Sequence, residues 1–359
     1  MNKIDEFLVG QDNPNTKKNY RSRLTIYFKT IKADPETYFD EGRDYNQDML
    51  TFLGGINGFK GVSKKLMLNT VKAFLDENEV VLSKKVKKLL KAKIKRSKPA
   101  TLDIVPSPKE LKEILQHGET KARALFLLLS SSGMRVNEAL SLTKEDIDFD
   151  YDPPKIYIRG ETTKMSQSRI AFMSYEAKEV ILAWMKERED YLKQAVKKSI
   201  KHKSMKDDTI FPFCYKTAEN VWRRLLIKSG YDDKDKSSGW YRRHIHTLRK
   251  YFRIYSSPKA TKDVSELLMG HADSLGDVYR EHYPESKLAE MYKKAMPDLS
   301  VYSVSSDESI KRLDEELQQK DKEIHELKQQ LDDINKRLDK GVGAYLFEEM
   351  QKIKKQNKK

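Results

Sequence analysis

The chain has 359 residues, enough for two domains and an appendage, and sets 70 Lys and Arg against 55 Asp and Glu, a formal charge of +15. That excess points to a polyanionic partner. One cysteine, Cys214, excludes an internal disulfide framework and a cysteine metal cluster, and the longest apolar run, Ala124 to Leu129, is too short to cross a bilayer. With no signal-peptide-like apolar region at the start, an intracellular protein acting without a membrane is expected.

Residues 1–96 read as a helical domain. Tyr20, Leu24, Tyr27 and Phe28 recur at helical spacing behind a start at Asn13-Pro14, and a second pattern runs near Asp48 to Leu53. A third helix, Lys64 to Asn78, carries Leu66, Leu68, Val71, Phe74 and Leu75. The last, from about Ser83 to Arg96, is crowded with lysines, among them Lys84, Lys85, Lys87, Lys88 and Lys91. A charge run is usually a solvated face. Its place just before a linker and a catalytic-looking domain favours instead the neutralisation of several backbone phosphates of a nucleic acid. Residues 97–106, rich in proline with those that follow, break the periodicity and read as an interdomain linker.

Residues 107–302 carry the candidate chemistry. Ser107 and Glu110 have the spacing of a capping box, and Thr120 to Ser131 is apolar almost all round, as a buried helix would be. Gly133 breaks that run, and Arg135 stands at the entrance of the next helix with Glu138 one turn on, where it could orient Arg135 or support a neighbouring histidine. Lys155–Arg159 and Arg169–Met173 alternate as strands of a small antiparallel sheet, joined by a polar connection that contains Lys164. Helices are expected over about Ala177 to Lys201 and Thr217 to Gly230. Another opens at His246 and places His246 and Arg249 on one face; a short one ends at Gly270, before His271. His244 could join His246 on a metal, but no second ligand cluster accompanies the pair, and no metal is expected. Tyr279 and Tyr283 follow, four residues apart, and either could serve as a covalent nucleophile; Tyr292 has the setting of a packing residue.

Beyond residue 303, Ile310, Leu313, Leu317, Lys320, Ile324, Leu327, Leu331, Ile334 and Leu338 follow the three–four alternation of a coiled coil. Residues 307–340 hold eight Lys or Arg and eleven Asp or Glu, a net −3, so the basic excess lies in the body. The stretch 303–340 therefore reads as a protein-contact device, with a single helix folding back as the other possibility. Residues 341–359 are basic and are expected to form a flexible end.

The motifs GMRVNEAL, TTKMSQSR, HTLR, LMGH and Tyr279, in that order, resemble those of the tyrosine recombinases, the integrase and Xer family of phages, plasmids and archaea. The resemblance covers roughly residues 12–300. It implies a mainly α fold with a small antiparallel sheet: a helical core-binding domain that clamps DNA, then an α+β catalytic domain. It also implies transesterification. Tyr279 would attack a scissile phosphate to give a 3′-phosphotyrosyl link, with Tyr283 as the alternative nucleophile. His246 would take the tyrosine proton, Arg135 and Arg249 would hold the non-bridging oxygens, His271 would hydrogen-bond to the phosphate, and Lys164 would protonate the leaving 5′ oxygen. The covalent link conserves the bond energy, so no cofactor is implied. Several protomers would work on paired sites, the heptads of 310–338 being one means of association. A type IB topoisomerase uses the same residue types, and a non-catalytic DNA-binding protein could keep the fold. A metal-dependent nuclease is the weakest reading, since no carboxylate cluster stands out.

Overall fold

A computed structural model describes residues 3–40, 42–95, 102–163, 167–198, 204–236, 238–270 and 283–302, with a few isolated positions beyond. Two compact units emerge. Met1–Ile104 groups with Asp232–Arg243, and Val105–Tyr231 groups with His244–Lys359.

The first unit is built from α1 (Lys3–Val9), α2 (Pro14–Ile31), α3 (Tyr45–Gly55), α4 (Gly61–Glu77) and α5 (Lys84–Lys95). Helix α2 starts where the sequence says it should: the Asn13 carboxamide oxygen accepts from the amides of Asn15 and Thr16, with Pro14 in the first turn. An aromatic core of Tyr27, Phe28, Tyr38, Phe52 and Phe74 holds these helices together. Its polar tips are satisfied: the Tyr27 and Tyr38 hydroxyls share a 2.6 Å hydrogen bond, Tyr38 donates to Asp48, and Arg43 closes the chain with two bonds to that carboxylate. Helix α1 carries no extended periodicity and is too short to read from sequence; Phe7 packs it against Phe74. On α5, Val86 and Leu90 are buried while Lys84, Lys85, Lys87, Lys88, Lys91 and Lys93 are exposed. Within residues 232–243, an Arg243–Asp233 ion pair and a bridge between Lys234 and Tyr241 tie the described residues together.

The second unit contains α6 (Pro108–Leu115), α7 (Thr120–Ser132) and α8 (Val136–Leu140), then strands β1 (Ile147–Asp148), β2 (Lys155–Ile158) and β3 (Arg169–Phe172). It continues with α9 (Tyr175–Lys198), α10 (Tyr215–Ser229), α11 (His246–Ala260), α12 (Lys262–Met269) and α13 (Glu285–Leu299). The capping box at Ser107 and Glu110 is formed, with both reciprocal bonds. Helix α7 is buried over most of its length, as its apolar circumference requires. The three strands are antiparallel in the order β1-β2-β3, with Ile158 opposite Arg169 and Ile156 opposite Ala171. Ile156, Ile158 and Ala171 are buried, so this register puts Arg169 on the inward face of the sheet. Tyr292 fastens α13 to α7 by donating its hydroxyl to the Ser131 carbonyl at 2.8 Å. At the start of α13, Glu285 is paired with Lys155 of β2 at 2.8 Å.

Candidate active site

Two glycines shape the site. Gly133 ends α7 at φ 65°, and a Cβ there would lie 2.3 Å from the Phe252 ring, so no other residue fits both the backbone and the space. Its carbonyl accepts from one terminal nitrogen of Arg249 at 2.6 Å, and the other terminal nitrogen donates to the Met269 carbonyl at 2.7 Å. Arg249, one turn into α11 and only 3 % exposed, is thus fixed between the C-terminal ends of α7 and α12. These are the ends where unpaired carbonyls welcome a cation.

Arg135 is the residue just before α8, as the break at Gly133 suggests. Its backbone amide donates to Glu138 Oε2 at 2.8 Å and its guanidinium to Oε1 at 3.0 Å. The Arg135 side chain keeps 30 % of its surface exposed, whereas Glu138 keeps 1 %. Glu138 orients Arg135, as its spacing predicts, but it serves a second arginine too. Arg169 enters from β3 and forks onto the same carboxylate at 2.7 and 3.3 Å, and its Nε donates to the Leu268 carbonyl at 3.1 Å. Gly270, at φ 71°, leaves the room this requires: a Cβ there would stand 2.8 Å from Arg169 Cδ and Nε.

The electrostatics follow from this packing. Among the described residues, three arginines, Arg135, Arg169 and Arg249, surround one carboxylate, Glu138, leaving an excess of two positive charges. Burial works to raise the Glu138 pKa, but the Arg169 hydrogen bond and charge, followed by the Arg135 amide and guanidinium, outweigh it and hold the carboxyl below its usual value. Burial, and next the charge of Arg135, pull the Arg249 guanidinium down to about 10, against the weaker opposing effect of Glu138. Arg249 is still a cation at neutral pH. A phosphate diester would supply the negative charge that the cluster lacks.

His246 opens α11 on the exposed side of the helix, three residues before Arg249. Its ring stacks on that of His244 with centroids 6.3 Å apart, and no group of three His, Cys, Asp or Glu able to hold a metal occurs among the described residues. Tyr283 is half-buried, with the Lys287 ammonium 5.0 Å from its ring centroid. Tyr292 is fully buried and its hydroxyl is held well above the ordinary tyrosine range by that burial, in keeping with a packing role. Lys164, His271 and Tyr279 lie outside the described residues, as does most of the heptad stretch 310–338. The choice between Tyr279 and Tyr283 therefore rests on the motif spacing.

In the sequence, Arg169 closes the TTKMSQSR motif and reads as a strand residue, with no role of its own. One signal marks it: alternation puts it in the inward register with Ala171, where a charge needs a buried partner. Nothing in the sequence says that the partner is Glu138, 31 positions away.

Helices packed on a small antiparallel sheet, with an arginine cluster where α7, α8, α11, α12 and β3 converge, define an integrase-type catalytic domain. Residues 106–283 match the phage integrase family. The chain is 25 % identical over 308 residues to tyrosine recombinase XerA of Saccharolobus solfataricus, spanning 83 % of this chain and 92 % of that protein. It is 22 % identical to tyrosine recombinase XerD of Haemophilus ducreyi over 79 % of this chain and 92 % of the relative. Its fold is similar to that of a lambda integrase dimer bound to a COC′ core site (TM-score 0.53, 18 % identity, 77 % of this chain and 76 % of that one). It is similar also to XerH recombinase bound to difH substrate before cleavage (TM-score 0.51, 17 % identity, 78 % and 77 %). The chain belongs to the tyrosine recombinase family.

Proposed function

We propose that the protein is a site-specific DNA recombinase that cuts and rejoins duplex DNA through a 3′-phosphotyrosyl intermediate. The observation that carries this reading is the buried arginine cluster with its two-charge excess, built from the family's own motif residues. Arg135 and Arg249 bind the non-bridging oxygens of the scissile phosphate and stabilise the charge that builds there in the transition state. Two N–H groups of Arg249 are committed to carbonyls, which orients the rest of its fork toward the ligand. Tyr279 attacks phosphorus, and its proton passes to His246. The bond to the 5′ oxygen breaks as Lys164 donates a proton to it, and His271 hydrogen-bonds to the phosphate throughout. The reverse attack, by a 5′ hydroxyl of another strand, restores the diester and the free tyrosine.

The exposed lysine face of α5 supports duplex binding by residues Lys84, Lys85, Lys87, Lys88 and Lys91, and two protomers per site pair are the minimum that strand exchange needs. The heptads of 310–338 would add self-association; sedimentation of the full chain against one ending at Tyr302 tests this, and identical oligomers would refute it. A type IB topoisomerase reading has less support, since both named relatives are recombinases.

The test is adduct formation on a nicked suicide substrate drawn from the flanking DNA, with EDTA present. Wild type and Tyr283→Phe should both become covalently linked to the 3′ end, whereas Tyr279→Phe should bind DNA and form no adduct. An adduct in Tyr279→Phe that disappears in Tyr283→Phe would move the nucleophile. A strict need for added divalent metal would refute the mechanism.

A further inference from the structure

Outside the catalytic and supporting residues named in the mechanism, Arg169 is a tightly held charged group of the catalytic unit. It is 6 % exposed, against 30 % for Arg135, so DNA reaches it far less readily. Its three hydrogen bonds join two parts of the site that are distant in sequence. Two of them go to the carboxylate that also grips the amide and guanidinium of Arg135. The third goes to Leu268 O, the carbonyl two residues before Gly270 and three before His271. Beside it, Arg249 holds Met269 O. The C-terminal end of α12 is thus gripped by two guanidinium groups, one of which also sets the position of Arg135 through Glu138.

We infer that Arg169 is a positioning residue for the strand-transfer reaction: one fork couples the Arg135–Glu138 pair to the C-terminal end of α12, which Arg249 also grips, so that both phosphate-binding arginines are in place at once. Three features bear on this. A flat two-pronged donor is needed to meet both carboxylate oxygens, and a lysine could not do so while also reaching a carbonyl. Without Arg169, Glu138 would keep, among the described residues, only Arg135 as an ion-paired cation in a buried setting, and the carboxylate would no longer be balanced from both sides. Gly270, whose φ of 71° and missing Cβ let the guanidinium pass, belongs to the same device. Around Glu138 the charged groups are Arg135 on the α8 side, Arg169 on β3 and Arg249 on α11; Glu266 of α12 is paired with Arg253.

The inference rests on the recombinase reading, and the experiment separates the two. Single-turnover adduct formation is followed on the suicide substrate, and the rate constant is read rather than the amplitude, so an unfolded fraction does not enter. Arg169→Gln should slow the step by on the order of 100-fold, while duplex affinity stays within about threefold. Arg169→Lys should recover less than about tenfold of the loss, because the charge returns without the fork. Combining Arg169→Gln with Glu138→Gln should cost no more than about threefold beyond the slower single variant, since both act on one unit. Gly270→Ala, which keeps the arginine and displaces it, should reproduce the slow step; it also covers the case in which Arg169→Gln does not fold. An unchanged rate constant in Arg169→Gln, or losses that multiply in the double variant, would overturn the positioning role. Failure of wild type to form any adduct would overturn the recombinase reading instead.

Discussion

Two regions of this chain hold positive charge in opposite ways. On α5, Lys84, Lys85, Lys87, Lys88, Lys91 and Lys93 stand in water around a narrow buried stripe of Val86 and Leu90. In the catalytic unit, three arginines are tied to one buried carboxylate and to the carbonyls of Gly133, Leu268 and Met269. The lysines keep their hydration and their rotamers, so what they offer a phosphate is a screened, adaptable attraction. Arg169 and Arg249 have already lost both, and Arg135, still 30 % exposed, is held by Glu138, so what the cluster offers is a fixed geometry with little left to reorganise when charge develops. The first arrangement suits holding any duplex. The second suits stabilising one phosphate at one moment.

The largest effect that bears on this contrast should come from Lys164, the lysine proposed to act with the arginines. Lys164→Ala should slow adduct formation on ordinary DNA by about 10²- to 10⁴-fold, the usual range for losing a general acid. A 5′-bridging phosphorothioate, whose sulfur leaves without protonation, should restore most of that rate. Absence of selective restoration would place Lys164 among the binding lysines instead.

The carboxylate at the centre of the arginine cluster sets the next effect. Glu138→Gln breaks buried ion pairs and should lower the stability of the catalytic unit by about 3 kcal/mol at neutral pH. Because the folded pKa of Glu138 lies below its ordinary value of 4.5, its contribution is complete above that pH and is lost as the pH falls through the lower folded value. The gap between the wild-type and variant melting temperatures should therefore stay constant from pH 7 to pH 5 and narrow below 4.5. A gap that is the same at every pH would mean that Glu138 is not held ionised by its arginines.

The smallest effect should come from the lysine face. Replacing Lys84, Lys88 and Lys91 by Ala should flatten the dependence of log affinity on log salt by about 0.9 for each phosphate left without its lysine. The rate of adduct formation at saturating DNA should not change. A slower chemical step at saturation would mean that the lysine face helps position the scissile phosphate, and the contrast between the regions would fail.

These two regions also differ in how far the sequence revealed them. The α5 face could be read directly, because an amphipathic helix places its residues by period alone, and Val86 and Leu90 mark the buried side. Arg135, Glu138, His246 and Arg249 could be placed on elements, since Gly133 ends α7 and the following helices begin near where their motifs do. What could not be read was long-range pairing. That Arg249 would find the carbonyls of Gly133 and Met269, or that Arg169 would meet Glu138, depends on how α7, α11, α12 and β3 pack together. Local pattern carries no such information. The same limit explains why α1 went unread: seven residues give too little period, and its burial depends on Phe74 of α4.

The division of labour can be tested most directly by removing charge from the scissile phosphate rather than from the protein. A methylphosphonate there replaces one anionic oxygen with a neutral methyl group, so less positive charge is needed to hold it. Arg135→Ala should lose about 10²- to 10³-fold in adduct formation on ordinary DNA, the scale of one lost oxyanion donor, and recover most of it on the methylphosphonate. The Lys84, Lys88 and Lys91 variant should gain nothing from the same substitution. No recovery in Arg135→Ala, or equal recovery in the lysine variant, would contradict the assignment of the buried arginines to the reacting phosphate.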